Sequence, residues 1–206
     1  MQIGIRSQIK DGGIVGEVFL SDQLINGAGY AKHLANSSFV EKILDDMSGE
    51  LNELPILRNH DCDSSCYQCL RTYDNMIYHP ILNWRLGLDI ANLMQDSDFV
   101  PSLKANRWKD LVKSGLHNLM KIDEEGMLVN EDIPVVSFNF QEEVACIIKH
   151  PFWDDNCERI GSLKKSLEGE GLNVKIFDVF DLLHRPEWII YKLKQSYDQS
   201  KENILF

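Results

Sequence analysis

Three of the chain's five cysteines fall within eight residues, in the run His60-Asp-Cys62-Asp-Ser-Ser-Cys66-Tyr-Gln-Cys69, and His79 follows ten residues later. The Cys66-x-x-Cys69 spacing lets two thiolates point at one ion while the intervening backbone turns around it. Cys62 is near enough to add a third sulfur without a long loop. A fourth ligand would close a tetrahedral site of the structural kind, and His60 or His79 could supply it. Soft sulfur ligands with one imidazole favour zinc over magnesium or calcium. A closed site leaves no position for a substrate, so the ion is expected to be structural, contributing on the order of 10 kcal/mol to folding a loop-rich region. A disulfide is one alternative, although nothing in the chain argues for an oxidising compartment. A thioredoxin-like redox pair is another, since Cys-x-x-Cys alone is a weak pattern. The third cysteine and the flanking histidines favour a metal.

The elements that must position this cluster lie on both sides of it. Ile3 and Ile5 share one face of a strand over 2–8, Asp11-Gly-Gly13 is a turn, and 14–21 is a second strand, which together predict a hairpin. Asn26-Gly27-Ala28-Gly29 then breaks the chain. A phosphate at the following helix N-terminus is one use for these glycines, and a tight strand-to-helix turn is the simpler one. Residues 29–52 read as helix interrupted at Asn36-Ser-Ser38 and recapped by serine. Past the cysteines, a helix over 79–95 is predicted to bury Leu82, Leu86, Ile90 and Leu93. Trp84 and Arg85 fall off that stripe, and packing onto a neighbouring element is preferred to DNA contact for them. Tyr73 and Asn75 are expected to order the loop around the ligands, as metal sites require.

Asp96-Ser-Asp-Phe-Val-Pro101 is a punctuated connection. A helix over 102–121 follows, with Trp108, Leu111, Val112, Leu116, Leu119 and Met120 at helical spacing. Lys104, Arg107, Lys109, Lys113 and Lys121 make it the most basic helix, and solvation is the usual role of such a face. Strands are expected over 127–129 and 135–140, and the run 143–149 places Cys146 as a small buried hydrophobe. A helix over 156–169 capped by Asp154 or Asp155, a strand over 173–178, and a last helix from Pro186 to about residue 198 complete a βαβ pattern with two parallel strands. The fold class is α/β with α+β character: a zinc-stapled hairpin-plus-helices module over 1–97, a basic helix and connection over 98–126, and an α/β unit over 127–206.

The composition is that of a globular protein, with 206 residues, 44% hydrophobic and 26% charged, and a formal net charge of −11. That charge is a poor footprint for an autonomous nucleic-acid binder. The N-terminal residues lack the apolar core of a signal peptide, and no run approaches eighteen apolar residues, so no membrane partner is expected. Reduced thiols fit a cytoplasmic setting.

Several motifs in this order carry a resemblance. They are Gly16-Glu-Val-Phe-Leu-Ser-Asp22, Asn26-Gly-Ala-Gly-Tyr30, Cys66-Tyr-Gln-Cys-Leu-Arg-Thr-Tyr-Asp-Asn75 and His79-Pro-Ile-Leu-Asn-Trp-Arg-Leu-Gly-Leu-Asp89. Over about residues 1–95 the chain resembles the MrfA-type zinc-binding, helicase-associated C-terminal domain of superfamily 2 DNA helicases. The form ending in Asn83-Trp-Arg-Leu86 most resembles helicase-like proteins of DISARM-type anti-phage systems. The stretches from His150 to Trp153 and from Asp178 to Trp188 resemble it more loosely. Members with four cysteines place Cys-x-Cys before the knuckle, and here His60 stands at the first position. The resemblance therefore implies His60 as fourth ligand, with His79 a competitor because related sequences also carry histidine there. It further implies an accessory piece of a DNA helicase or translocase assembly in phage defence or DNA repair, supplied separately or as a fragment. Its partner would be a superfamily 2 helicase-type ATPase, and DNA would be met through the complex.

The chain lacks both Gly-x-x-x-x-Gly-Lys-Ser/Thr and Asp-Glu-x-His, so it is not expected to drive a helicase itself. No catalytic residue and no organic cofactor is assigned. The alternative is a metal-dependent nuclease built on the C-terminal unit. His150, Asp154, Asp155 and Asp178 would lie beyond the carboxyl ends of the parallel strands, where open α/β sheets gather ligands.

Overall fold

The computed structural model describes residues 2–10, 12–21, 29–48, 62–123, 126–130, 133–140 and 143–202. The chain divides into two compact units, Met1–Phe99 and Val100–Phe206. It has α/β character, with helices flanking a small mixed sheet.

In the first unit, strands β1 (Gln2–Lys10) and β2 (Gly13–Ser21) pair antiparallel, with Ile9 opposite Ile14 and Lys10 opposite Gly13. Gly12 turns the hairpin at φ 81°, a left-handed conformation that glycine takes without a Cβ clash. The glycine-rich break at 26–28 lies outside the described residues. Gly29 precedes helix α1 (Tyr30–Leu34), and α2 follows as Ser37–Ser48. The interruption between them falls where the sequence placed it, but serine does not recap the chain. The Asn36 Oδ1 does so, accepting from the Ser38 N–H at 3.1 Å and from the Ser38 hydroxyl at 2.8 Å. Beyond the cysteine loop come a 3₁₀ helix (Tyr73–Ile81) and α3 (Trp84–Gln95).

Helix α3 corrects two expectations. It begins at Trp84 rather than near 79, because Asn83 caps it, its Oδ1 accepting from the N–H groups of Arg85 (3.0 Å) and Leu86 (3.3 Å). Its buried face is Trp84, Arg85, Leu88, Asp89 and Ala91, while Ile90 and Leu93 of the proposed stripe are 47% and 38% exposed. The helix is rotated so that its first two residues serve the cysteine loop. Helix α2 packs against α3, and the Gln95 amide donates to Asp45.

The second unit is built on a four-stranded sheet of order β3-β4-β5-β6, from Met127–Asn130, Val135–Asn139, Glu143–Lys149 and Asn173–Asp178. The first two pairings are antiparallel, and β5 with β6 is parallel, joined through helix α5 (Glu158–Gly169) as the βαβ pattern requires. Strand β5 is buried continuously from Val144 to Ile148 because both of its faces are covered. On one face, Val135, Ala145, Ile147 and Val174 pack with Ile160, Leu167 and Trp153. Alternate residues, Val136, Phe138, Cys146 and Ile148, are also buried. Helices α4 (Asn106–Ile122), α6 (Val179–His184) and α7 (Pro186–Glu202) pack on one another, and α6 also packs on β5 and β6. Gly115 permits the close approach of α4 and α6, since a Cβ there would sit 3.0 Å from Leu182 Cγ.

Three local readings change here. Neither Asp154 nor Asp155 caps α5, whose N-cap is Cys157. Asp154 Oδ1 instead accepts from the Asn156 N–H at 2.7 Å within the preceding turn. Helix α4 starts at Asn106 rather than 102. Helix α6 was not anticipated. Asp178 caps it, accepting from the N–H groups of Phe180 (2.7 Å) and Asp181 (3.1 Å). No helix among the described residues is long and apolar enough to cross a membrane.

Candidate metal centre

Cys62, Cys66 and Cys69 come together as the spacing predicts, their sulfur atoms all within 4.8 Å of one another. Cys62 Sγ and Cys69 Sγ are 3.8 Å apart. A tetrahedral ion with bonds of about 2.3 Å to sulfur requires sulfurs separated by roughly that distance. All five cysteines are free. The knuckle lies in a turn and no α-helix opens at it, unlike a redox pair at the start of a helix. The three cysteines could hold a metal ion.

The backbone inside the knuckle faces the sulfurs. The Cys66 N–H donates to Cys69 Sγ at 3.1 Å, and the Gln68 N–H donates to Cys66 Sγ at 3.3 Å. The Cys66 carbonyl accepts from the N–H groups of Cys69 (3.1 Å) and Arg71 (3.0 Å), which closes the turn. Donors aimed at sulfur favour thiolate over thiol. Desolvation pushes Cys66 up, but the Gln68 N–H and the neighbouring thiols outweigh it and hold Cys66 below the ordinary thiol value. Cys62 is driven the other way, to about 12, first by burial and then by its contact with Cys69. Three thiolates this close repel one another, so a bound cation is what would keep all three ionised.

Helix α3 holds the loop from beneath. The Trp84 indole N–H donates to the Cys62 carbonyl at 3.0 Å, and the Trp84 backbone N–H donates to the Ser64 carbonyl at 3.0 Å. Arg85 Nη1 donates to the carbonyls of Cys62 (3.0 Å) and Asp63 (2.6 Å). Trp84 is 4% exposed and Arg85 6%, with the guanidinium 4.4 Å from the centre of the Trp84 ring. Burial lowers the Arg85 pKa, while the charges of Cys62 and Asp63 oppose that shift. Arg85 thus brings a positive charge near Cys62 as well as donors to the backbone. Trp84 and Leu88 form a small core against which Cys62, Cys69 and Leu70 pack. The sequence reading expected packing from Trp84 and Arg85 but not this clamp. The N-cap residue type at Asn83, directly before Trp-Arg, was the clue to where α3 starts.

The second flank is ordered by Asn75, as anticipated, whereas Tyr73, expected to share that role, is 81% exposed with its ring 5.7 Å from that of Tyr67. The Asn75 Oδ1 accepts from the Thr72 N–H at 2.8 Å and its Nδ2 donates to the Leu70 carbonyl at 2.8 Å. His79 belongs to this network. Its Nε2 lies 3.0 Å from the Thr72 carbonyl and 2.9 Å from Asn75 Oδ1, both acceptors, so Nε2 carries the proton. The ring meets Tyr67 edge-on at 5.5 Å. His79 is not part of the cysteine cluster. His60 lies outside the described residues.

The acidic residues considered for nuclease chemistry are each engaged locally. Asp178 caps α6, Asp154 closes its turn, and Asp155 pairs with Lys149 at 2.9 Å. His150 is fully buried against Trp108 and Phe152, its Nδ1 accepting from the Phe152 N–H at 3.2 Å. Among the described residues they do not gather into a cluster that could hold a metal. The chain matches no protein-family model, no curated protein and no solved structure.

Proposed function

We propose that this chain is a non-catalytic, zinc-binding accessory module of a DNA helicase or translocase assembly acting in phage defence or DNA repair. The observation that carries the metal reading is the 3.8 Å separation of Cys62 and Cys69 sulfurs, with Cys66 in the same cluster. Cys62, Cys66 and Cys69 would hold the ion, with His60 as the fourth ligand that the family resemblance favours. Zinc, when bound, would cross-link Cys62 to the Cys66–Cys69 turn within the loop. The chain's own residues supply the frame: Arg85 and Trp84 fix the carbonyls of Cys62–Ser64, and Asn75 fixes the turn that follows the knuckle. The motif order from Gly16 to Asp89 supports the helicase-associated reading. The partner is then a superfamily 2 ATPase, with DNA met through the complex.

Two measurements test this. Elemental analysis of the purified chain should give one zinc per chain, and Cys66→Ser with Cys69→Ser should lose metal and soluble folding together. A folded double mutant with unchanged zinc content would refute the metal site. Affinity purification of the tagged chain from its native cells should recover a protein with helicase motifs whose DNA-stimulated ATPase depends on the chain. Recovery of the chain alone would count against the accessory role. Metal-dependent cleavage of labelled single-stranded DNA, abolished by Asp178→Ala, would favour the nuclease alternative instead.

A further inference from the structure

Helix α4 carries a groove that the metal centre does not use. It encloses about 950 Å³ and runs along one side of the 17-residue helix toward β3 and the start of β4. Its floor is apolar and includes Leu116, Met120, Leu128 and Pro134. Its edge carries Lys104, Lys109, Lys113 and His117, all exposed, and among the described residues lining it the one carboxylate is that of Asp110. Neither Lys109 nor Lys113 has an ion-pair partner among the described residues.

Lys109, Lys113 and His117 repeat every four residues, which sets them about 6 Å apart along the helix. A chain of net charge −11 that gathers lysines on the lip of an apolar groove, Lys109 and Lys113 without an ion-pair partner among the described residues, presents a local potential opposite to its overall charge. Apolar filling with acidic flanks at helical spacing is the complement of such a surface. We propose that this groove is a docking site for an acidic amphipathic helix of a partner protein. The partner's apolar side chains enter over Leu116, Met120 and Leu128, and its carboxylates, four residues apart, meet Lys109 and Lys113. Nucleic acid fits less well. Single strands are held by aromatic faces on which bases stack, and among the described residues no Phe, Tyr or Trp lines the groove. The proposal concerns the second unit alone and does not rest on zinc or on the helicase reading.

The test uses the full chain as bait for a displayed library of random peptides about 16 residues long, enough for roughly 24 Å of helix. The enriched peptides are then measured by fluorescence anisotropy. They should be acidic and amphipathic, and their binding should weaken about 10-fold or more in Lys109→Glu/Lys113→Glu. Lys109→Arg/Lys113→Arg should keep binding, and Leu128→Asp should lose it, all three variants melting as the parent does. Failure to enrich any peptide would overturn the proposal. So would enriched peptides without acidic residues, or affinity unchanged in the double glutamate variant. Displacement of the peptides by a single-stranded oligonucleotide at equal or lower concentration would reassign the groove to nucleic acid and overturn it likewise.

Discussion

Replacing Arg85 by alanine tests whether α3 holds the cysteine loop in the way its contacts imply. The guanidinium is buried and donates to the carbonyls of Cys62 and Asp63. Cys62 O would keep the Trp84 indole as donor, so the net loss is one full interaction at Asp63 and a shared one at Cys62. A hydrogen bond from a charged donor contributes about 1.5–3 kcal/mol, so one full and one shared bond amount to roughly 2–4 kcal/mol, and the carbonyl of the exposed Asp63 adds no burial penalty. The middle of that range is about 3 kcal/mol. If loop order and metal binding are one equilibrium, that converts to roughly 100-fold weaker zinc affinity. Competition against a zinc-chelating dye at neutral pH reads the effect. Arg85→Lys, which keeps the charge but not the forked donor, should fall between parent and alanine. Amide exchange of the Val100–Phe206 unit should be unchanged in both variants. Equal zinc affinity in the parent and in folded Arg85→Ala would refute the clamp.

Other residues give independent checks. Asn83→Ala removes the acceptor for two N–H groups at the start of α3 and should cost about 1 kcal/mol, read by chemical denaturation. Gly126→Ala would place a Cβ 2.7 Å from Cε1 of the buried Phe138 ring, so it should cost roughly 1–3 kcal/mol and lower the Tm by several degrees. Cys146 is raised from 9.0 to about 12 by burial, which outweighs a hydrogen bond from the Val136 backbone. Its folded pKa lies above its unfolded one, so the stabilisation is complete below about pH 9 and is lost as pH rises toward 12. The gap corresponds to roughly 4 kcal/mol at most. Cys146→Ala should therefore flatten the decline of stability between those pH values, and an identical slope in parent and variant would contradict the assignment.

What could be read from the sequence follows the range over which each interaction acts. Cys66 and Cys69 are joined by a turn whose hydrogen bonds stay within five residues, so their spacing alone pairs those two sulfurs, while Cys62, four residues before the turn, is held by Trp84 and Arg85. Strand β5 was legible for a related reason: an uninterrupted apolar run followed by a helix and a second strand has few ways to bury both of its faces. The face of α3 was misread because apolar periodicity counts only greasy contacts. What orients α3 is the demand of loop carbonyls for donors, met by an indole 22 residues away and a guanidinium 22 and 23 residues away. A tryptophan and an arginine are therefore more buried than the isoleucine and leucine predicted to be inside. Helix α6, six residues long, is too short to display a period, and its one sequence mark is the capping Asp178. That same aspartate had been weighed as a metal ligand, since a carboxylate at the end of a parallel strand suits either role. Backbone N–H groups decide between them. Where two already converge on the oxygen, the carboxylate is committed to the fold, and where sulfurs converge on one another, as at Cys62, Cys66 and Cys69, the cluster could hold a metal ion.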